Sequence, residues 1–391
     1  MMEKRPMGRT GDSSTILGFG CMRLPLDGPT PDKIDYGLSE RMLRSAIDRG
    51  VDYVDTAYPY HSNGDRTTPG ESEPFLAKAL AGGYREKVKL ATKLPSWKPE
   101  SYADFHSLLD EQLKRLDVRQ IDYYLIHNLN RGVWPKVKDL GLFRFFGEAV
   151  KDGRIRFPAF SFHDDYPLFE EIVTCYDWAM AQVQYNYVDR DWQAGRKGIK
   201  LAYDRGVAVV VMEPLRGGFL INHLPDGPRE SLRKARPDWS LAAWCLNWVW
   251  SQKEVSVVLS GMSSQEQTDD NVASALAWKP GKFTEGDSAA IDEVTEWFSR
   301  RIRVSCTACG YCKPCPSGVD IPKNLDFLNQ YYLFDADEAR ERSNVFYRML
   351  VRAEEAATLC SECGECLEKC PQHLEIPRYL EEAAGFYKGP A

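Results

Sequence analysis

The sequence predicts an α/β protein: a (β/α)8 TIM barrel followed by a small, mainly α, cysteine-rich module. Three observations carry that expectation. Eight short β-rich runs recur between residues 16 and 261, segments of helical period separate them, and most of the 11 cysteines fall in two tight groups near the C-terminus.

The runs, in order, are ILGFGCMR (16–23), VDYVDTA (51–57), VKLATK (88–93), IDYYLIH (121–127), FPAFSFH (157–163), MAQVQYN (180–186), VAVVVMEP (207–214) and VSVVLSG (255–261). Between them, segments such as SERMLRSAIDRG, SEPFLAKALAGG and FHSLLDEQLKRL repeat their apolar residues three and four apart, the period of a helix with one buried face. Eight such pairs over about 250 residues fit a barrel. A doubly wound sheet is the rival, but no GxGxxG follows the first strand to support it. Barrel active sites lie at the C-terminal strand ends, which directs attention to Arg23, Asp55, Lys93, His127, Ser161, His163, Gln184, Asn186 and Glu213.

After residue 261 a helical stretch runs to about 303 and leads into a duplicated segment, so the expected division is 1–285 for the barrel and 286–391 for a linker helix and the second module. Cys306, Cys309, Cys312, Cys315, Pro316 and Pro322 recur as Cys360, Cys363, Cys366, Cys370, Pro371 and Pro377 at offsets of 54 and 55. Duplication around cysteines marks a small metal-nucleated domain. A polar start without an apolar signal segment leads to a cytoplasmic expectation, and in that reducing compartment grouped cysteines read as metal ligands, not disulfides.

Composition narrows the function classes. With 43% hydrophobic and 27% charged residues the chain is globular, and no run approaches the length that spans a bilayer. The net charge of −7, with no cluster of Lys and Arg, argues against nucleic acid as a partner.

Asp55, Tyr60, Lys93 and His127 form a chemically coherent set at the ends of adjacent strands. A carbonyl that accepts hydride needs a proton on its oxygen, and a tyrosine hydroxyl delivers one once its pKa is lowered. The Lys93 ammonium would favour the phenolate, Asp55 would hold that ammonium, and His127 would orient the carbonyl oxygen.

The runs GRTG, LGFGCMRL, DTAYPY (55–60), LATK (90–93), YYLIH (123–127) and QVQYN (182–186) together resemble the aldo-keto reductases over roughly residues 5–275. The resemblance implies NAD(P)H-dependent hydride transfer to or from a small carbonyl or alcohol substrate, with Tyr60 as the acid of a tetrad completed by Asp55, Lys93 and His127. It places Gln184 at the nicotinamide amide, with Arg23 and Ser161 among the cofactor contacts. PLRGG, through Pro214, Leu215, Arg216 and Gly217, would line the pyrophosphate. It brings GMSSQEQTDDN (261–271) to the adenosine end, with Gly261 and Gln267 where NADPH-preferring members commonly carry cations, and Asn271 at the adenine. No Lys or Arg occurs from Glu254 to Trp278, which favours NADH over NADPH. Two departures are present: the fifth strand ends SFHDD where many members have Ser-Asn, and the polar stretch HSNGDRTTP separates Tyr60 from GESE (70–73).

The cysteine runs resemble those of bacterial two-cluster ferredoxins. The second fits C-x2-C-x2-C-x3-C-P and the first is one residue shorter before its last cysteine. The resemblance implies two [4Fe-4S] clusters with crossed ligation, one on Cys306, Cys309, Cys312 and Cys370, the other on Cys360, Cys363, Cys366 and Cys315. A pair of four-cysteine zinc sites is the rival, less suited to three cysteines at successive three-residue steps. The clusters would either carry electrons or staple a module with little core. Two other functions stay open: electron transfer with a redox-partner protein, and a nucleotide-sensing subunit without turnover.

Overall fold

In the computed structural model, which describes residues 1–63, 67–222, 224–333, 343–344, 347–348 and 351–387, the eight runs form one closed barrel of parallel strands. Two short strands precede them, β1 (Lys4–Pro6) and β2 (Ser13–Thr15). The barrel strands are β3 (Leu17–Gly20), β4 (Tyr53–Asp55), β5 (Lys89–Pro95), β6 (Ile121–Leu129), β7 (Ile155–Phe162), β8 (Met180–Gln184), β9 (Ala208–Met212) and β10 (Val257–Gly261). They follow one another around the barrel in chain order, and β10 closes on β3. Several are shorter than their runs. The run at 51–57 contributes only Tyr53–Asp55, because Tyr60 N bonds back to Ala57 O and begins a turn.

The antiparallel β1–β2 hairpin lies in the polar start, a stretch with no strand pattern. Polar contacts hold it: the Asp52 carboxylate accepts from Ser14 Oγ at 2.6 Å and Thr15 N at 2.8 Å. Gly8, at φ +56°, lets Arg9 N reach Gly206 O at 2.8 Å, and a Cβ there would overlap that carbonyl.

The barrel interior explains where the polar layer falls. Tyr53, Ala91, Leu125, Ala159 and Leu259 belong to one buried apolar cluster that also contains Met7, Tyr123, Met180 and Val257. Alternate strand residues share a face, so two positions onward the same inward line reads Asp55, Lys93, His127, Ser161 and Gly261. An apolar plug thus gives way to a polar rim at the C-terminal ends. The register fixes that rim: Asp55 pairs with Ala91, Lys93 with Leu125, and Pro95 with His127.

Local signals start the outer helices. Asp35 caps Tyr36–Asp48 by accepting from Leu38 N, Ser101 and Asp104 form a capping box for Tyr102–Leu116, and Ser264 caps Gln265–Ala277.

The chain divides into two compact units, residues 1–214 with 242–284, and residues 215–241 with 285–391. In the second, the Asp226–Ala235 helix packs on Glu285–Ser299, where Arg236 makes a two-pronged contact with buried Asp287 at 2.8 and 2.7 Å. Farther on, helices Ile321–Leu333 and Ile376–Phe386, which begin at equivalent points of the sequence duplication, pack together. Their core joins Val319, Leu325, Leu328, Leu374, Leu380 and Ala383 to the cysteines. Among the described residues no helix is long and apolar enough to cross a membrane.

Candidate functional site

Lys93 lies at the centre of the polar rim and is 1% exposed. Its Nζ donates to Asp55 Oδ1 at 2.7 Å and Oδ2 at 2.8 Å, to Thr56 O at 2.7 Å, and to Tyr60 Oη at 3.3 Å. Burial raises the Asp55 carboxyl and lowers the Lys93 ammonium, while the attraction between them opposes both shifts. The ammonium therefore stands between a carboxylate that compensates it and a phenol that it polarises. The His127 ring meets the Tyr60 ring edge-on at 5.9 Å between centroids, and the Trp97 ring at 5.3 Å. The structure brings all four of Asp55, Tyr60, Lys93 and His127 together.

A buried network behind this group was not read from the sequence. Gln112 Nε2 donates to Lys93 O at 3.1 Å and to Glu73 Oε1 at 2.6 Å, and its Oε1 accepts from Tyr124 Oη at 2.7 Å. Glu73 also accepts from Thr92 Oγ1 at 2.8 Å and pairs with Arg115 Nε at 3.0 Å. Burial pushes the Glu73 carboxyl up, against those bonds. A signal for Gln112 existed, since it shares the helical face of Phe105, Leu108, Leu109 and Leu116, all buried. Trp97, two residues past β5, carried no such signal. His61, at φ +62°, accepts from Leu24 N through Nε2 at 3.3 Å. The tip of the polar stretch after it, 64–66, lies outside the described residues.

The expected cofactor contacts are distributed as follows. Ser161 is buried and its Oγ accepts from Asn128 N at 2.8 Å. Gln184 Nε2 and Asn186 Nδ2 both donate to Asp189 Oδ2, at 3.1 and 2.9 Å, so Asp189 orders the loop after β8. Arg23 lies in the turn Cys21–Arg23 with its stem against Gly261. Gln267 turns its Oε1 back to accept from Ser263 N at 2.9 Å. Asn271 is buried and donates to Ser260 Oγ at 3.0 Å, and its Oδ1 has no partner among the described residues. The segment 261–271, expected at the adenosine, is not free of cations in space: Arg49, distant in sequence, pairs with Asp269 at 2.6 Å. Pro214 ends the first segment of the first unit, whereas Leu215, Arg216 and Gly217 belong to the second unit.

The cysteines line two cavities in the second unit. One is bounded by Cys306, Cys309, Cys312 and Cys370 with Ile321, Leu325 and Leu374, the other by Cys315, Cys360, Cys363 and Cys366 with Ile321 and Leu380. Each set draws three cysteines from one run and one from the other, and Cys312 also borders the second cavity. Burial raises the Cys306 thiol to about 12 and the Cys366 thiol to about 11. Four thiols around an apolar hollow are the donor set of an iron–sulfur cluster.

Comparison with known proteins agrees with both halves. Residues 305–374 match the 4Fe-4S dicluster domain. The chain is 25% identical over 307 residues to probable aldo-keto reductase 1 of Glycine max, covering 70% of this chain and 84% of that one. It is 26% identical over 337 residues to the uncharacterized oxidoreductase YqkF of Bacillus subtilis, covering 75% and 97%. The holo form of aldo-keto reductase AKR11C1 from Bacillus halodurans superposes with a TM-score of 0.60 at 26% identity, over 75% of this chain and 96% of that structure. With residues 16–296 matched by the aldo/keto reductase family, the chain belongs to that family and carries a 4Fe-4S dicluster domain behind its barrel.

Proposed function

We propose that the protein is an NAD(P)H-dependent oxidoreductase that interconverts a small carbonyl compound and its alcohol, with NADH accepted at least as well as NADPH. The observation that carries this reading is the Lys93 ammonium, bonded at once to Asp55 and to Tyr60 Oη. When bound, the dinucleotide supplies or takes the hydride. Tyr60 would give its proton to the carbonyl oxygen, Lys93 would stabilise the phenolate left behind, and His127 and Trp97 would bound the space where that oxygen sits. Asp55 keeps the buried ammonium charged. The Asn271 Oδ1, without a partner among the described residues, is an acceptor suited to an adenine amino group. Gln184 would meet the nicotinamide amide, Ser161 would serve nearby, and Arg23, Pro214, Leu215, Arg216, Gly217, Gly261 and Gln267 would border the rest of the dinucleotide.

The dicluster domain would hold two [4Fe-4S] clusters, one on Cys306, Cys309, Cys312 and Cys370 and one on Cys315, Cys360, Cys363 and Cys366. What supports the crossed sets is that each lines its own hollow. The clusters would exchange single electrons with a redox partner or stabilise the domain.

Tyr60→Phe tests the chemistry. It removes the proton donor and keeps the ring, so turnover of an aldehyde panel with NADH should fall about 100-fold or more while the dinucleotide still binds. Near-normal turnover would move the active site elsewhere.

A further inference from the structure

Glu73 and Arg115 sit on two outer helices of the barrel, Ser72–Ala79 and Tyr102–Leu116, that pack against each other. Glu73 is fully buried, and its two carboxylate oxygens face different parts of the reacting group. Oε1 accepts from Thr92 Oγ1 at 2.8 Å and from Gln112 Nε2 at 2.6 Å, and the same amide nitrogen donates to Lys93 O at 3.1 Å. This side grips β5 at Lys93 and beside it. Oε2 accepts from Arg115 Nε at 3.0 Å, and a second nitrogen of that guanidinium, Nη2, donates to Gly70 O. Gly70 in turn donates through its N to Tyr58 O at 2.8 Å. Ser72, beside Glu73, donates through its N to Tyr60 O at 3.2 Å, and its hydroxyl bonds with Thr56 Oγ1 at 2.7 Å. Thr56 is also the residue whose carbonyl accepts from Lys93 Nζ at 2.7 Å. One buried carboxylate thus ties the strand that carries Lys93 to the loop that carries Tyr60.

The contact that this tie serves is the 3.3 Å between Lys93 Nζ and Tyr60 Oη. The two side chains come from separate elements, so their separation is set by what holds those elements together, and an error of about 1 Å in a reacting group is costly. We propose that Glu73 and Arg115 are positioning residues that set the distance between Tyr60 Oη and Lys93 Nζ, Glu73 by holding β5 and Arg115 by holding the Gly70 carbonyl. The guanidinium suits the task because its planar fork serves two acceptors at once, a bridge that an ammonium on a flexible stem does not reproduce. Neither residue acts on substrate; both act through Tyr60 and Lys93.

This rests on Tyr60 as the proton donor, so one arm of the test does without turnover. In the full-length holoprotein with ring-13C-labelled tyrosine, nuclear magnetic resonance follows the titration of Tyr60, whose signal is identified by its loss in Tyr60→Phe. Arg115→Lys conserves charge, so a changed field alone predicts no shift, whereas withdrawal of Tyr60 from the Lys93 ammonium raises the titration by about one unit. Glu73→Gln separates the two causes by sign. Loss of a negative charge alone would lower the tyrosine titration, and withdrawal from Lys93 should raise it. With NADH and the aldehyde panel, both variants should lose about tenfold or more in kcat, while KM for the aldehyde and Kd for the dinucleotide stay within about twofold. In a Tyr60→Phe background neither should add to the loss. Urea midpoints show whether each variant folds; where Glu73→Gln does not, Arg115→Lys, which keeps both charges, decides. An unmoved titration in folded Arg115→Lys, a lowered one in Glu73→Gln, or turnover lost equally with and without the Tyr60 hydroxyl would overturn the proposal. Near-normal turnover in Tyr60→Phe would instead remove the proton-donor reading, and the titration would still decide whether Glu73 and Arg115 place the tyrosine.

Discussion

Gly70 packs against the main chain of Tyr60 so closely that a Cβ on Gly70 would overlap the Tyr60 carbonyl oxygen. Gly70 N donates to Tyr58 O at 2.8 Å, and Ser72 N to Tyr60 O at 3.2 Å. The polar stretch that separates Tyr60 from GESE therefore returns to the backbone of the tyrosine that leads into it. Gly70→Ala should push Tyr60 away from Lys93 and cut turnover at least tenfold, because errors of about 1 Å in a reacting group are costly. Gly147→Ala, in a helix with nothing within 4 Å of the new Cβ, is the control and should leave turnover unchanged. Equal activity in both variants would sink the idea that Gly70 sets the position of Tyr60.

Asp55→Asn leaves the Lys93 ammonium in a buried place without its counter-charge. Removing one partner of a buried ion pair costs about 3–5 kcal/mol, more than replacing both. The single variant should therefore unfold at lower urea, and the double variant Asp55→Asn with Lys93→Met should recover part of the loss. Strict additivity of the two single changes would show that the 2.7 Å contact carries no coupling.

The barrel, and the gathering of Asp55, Lys93 and His127 at its C-terminal strand ends, were legible because both follow from local pattern. Period-two strands put Asp55, Lys93 and His127 two positions beyond inward apolar residues, and strand ends carry barrel chemistry. The two cysteine runs were legible from spacing, and the crossed sets that line the hollows only from the resemblance of those runs to two-cluster ferredoxins. What stayed hidden depends on tertiary pairing. The β1–β2 hairpin is held by Asp52 from another part of the chain. Glu73 and Gln112 read as ordinary helix polars until two helices face each other. Arg49 reaches a segment 220 residues away. Apart from Gln112, whose place on the apolar face of its helix is a periodic signal, none of these contacts leaves a period or a motif in the sequence.

That last contact bears on the choice of cofactor. Arg49 is the cation at Asp269, and the pairing at 2.6 Å spends its charge on a carboxylate. Dissociation constants at one ionic strength should show NADH bound at least as tightly as NADPH. Asp269→Ala releases Arg49 and should shift the balance severalfold toward NADPH, an effect that shrinks as salt screens the exposed charge. A wild-type preference for NADPH would mean that another residue reads the 2′-phosphate.

Iron content tests the dicluster domain most directly. Protein prepared without oxygen should be brown and hold about eight irons per chain, the sum of two cubanes. Stoichiometric zinc with negligible iron and sulfide would support the rival donor chemistry instead. Cys370 distinguishes crossed from uncrossed ligation, because it belongs to the second sequence run yet lines the hollow of Cys306, Cys309 and Cys312. Cys370→Ser should therefore damage the cluster of the first run and spare the one on Cys315, Cys360, Cys363 and Cys366, leaving about four irons. Cys315→Ser should do the reverse. Because the cysteines form part of the apolar core between the Ile321–Leu333 and Ile376–Phe386 helices, each loss should also lower the domain's thermal stability. If Cys370→Ser instead emptied the hollow of Cys360, Cys363 and Cys366, each run would bind its own cluster, and the exchange of fourth ligands would be wrong.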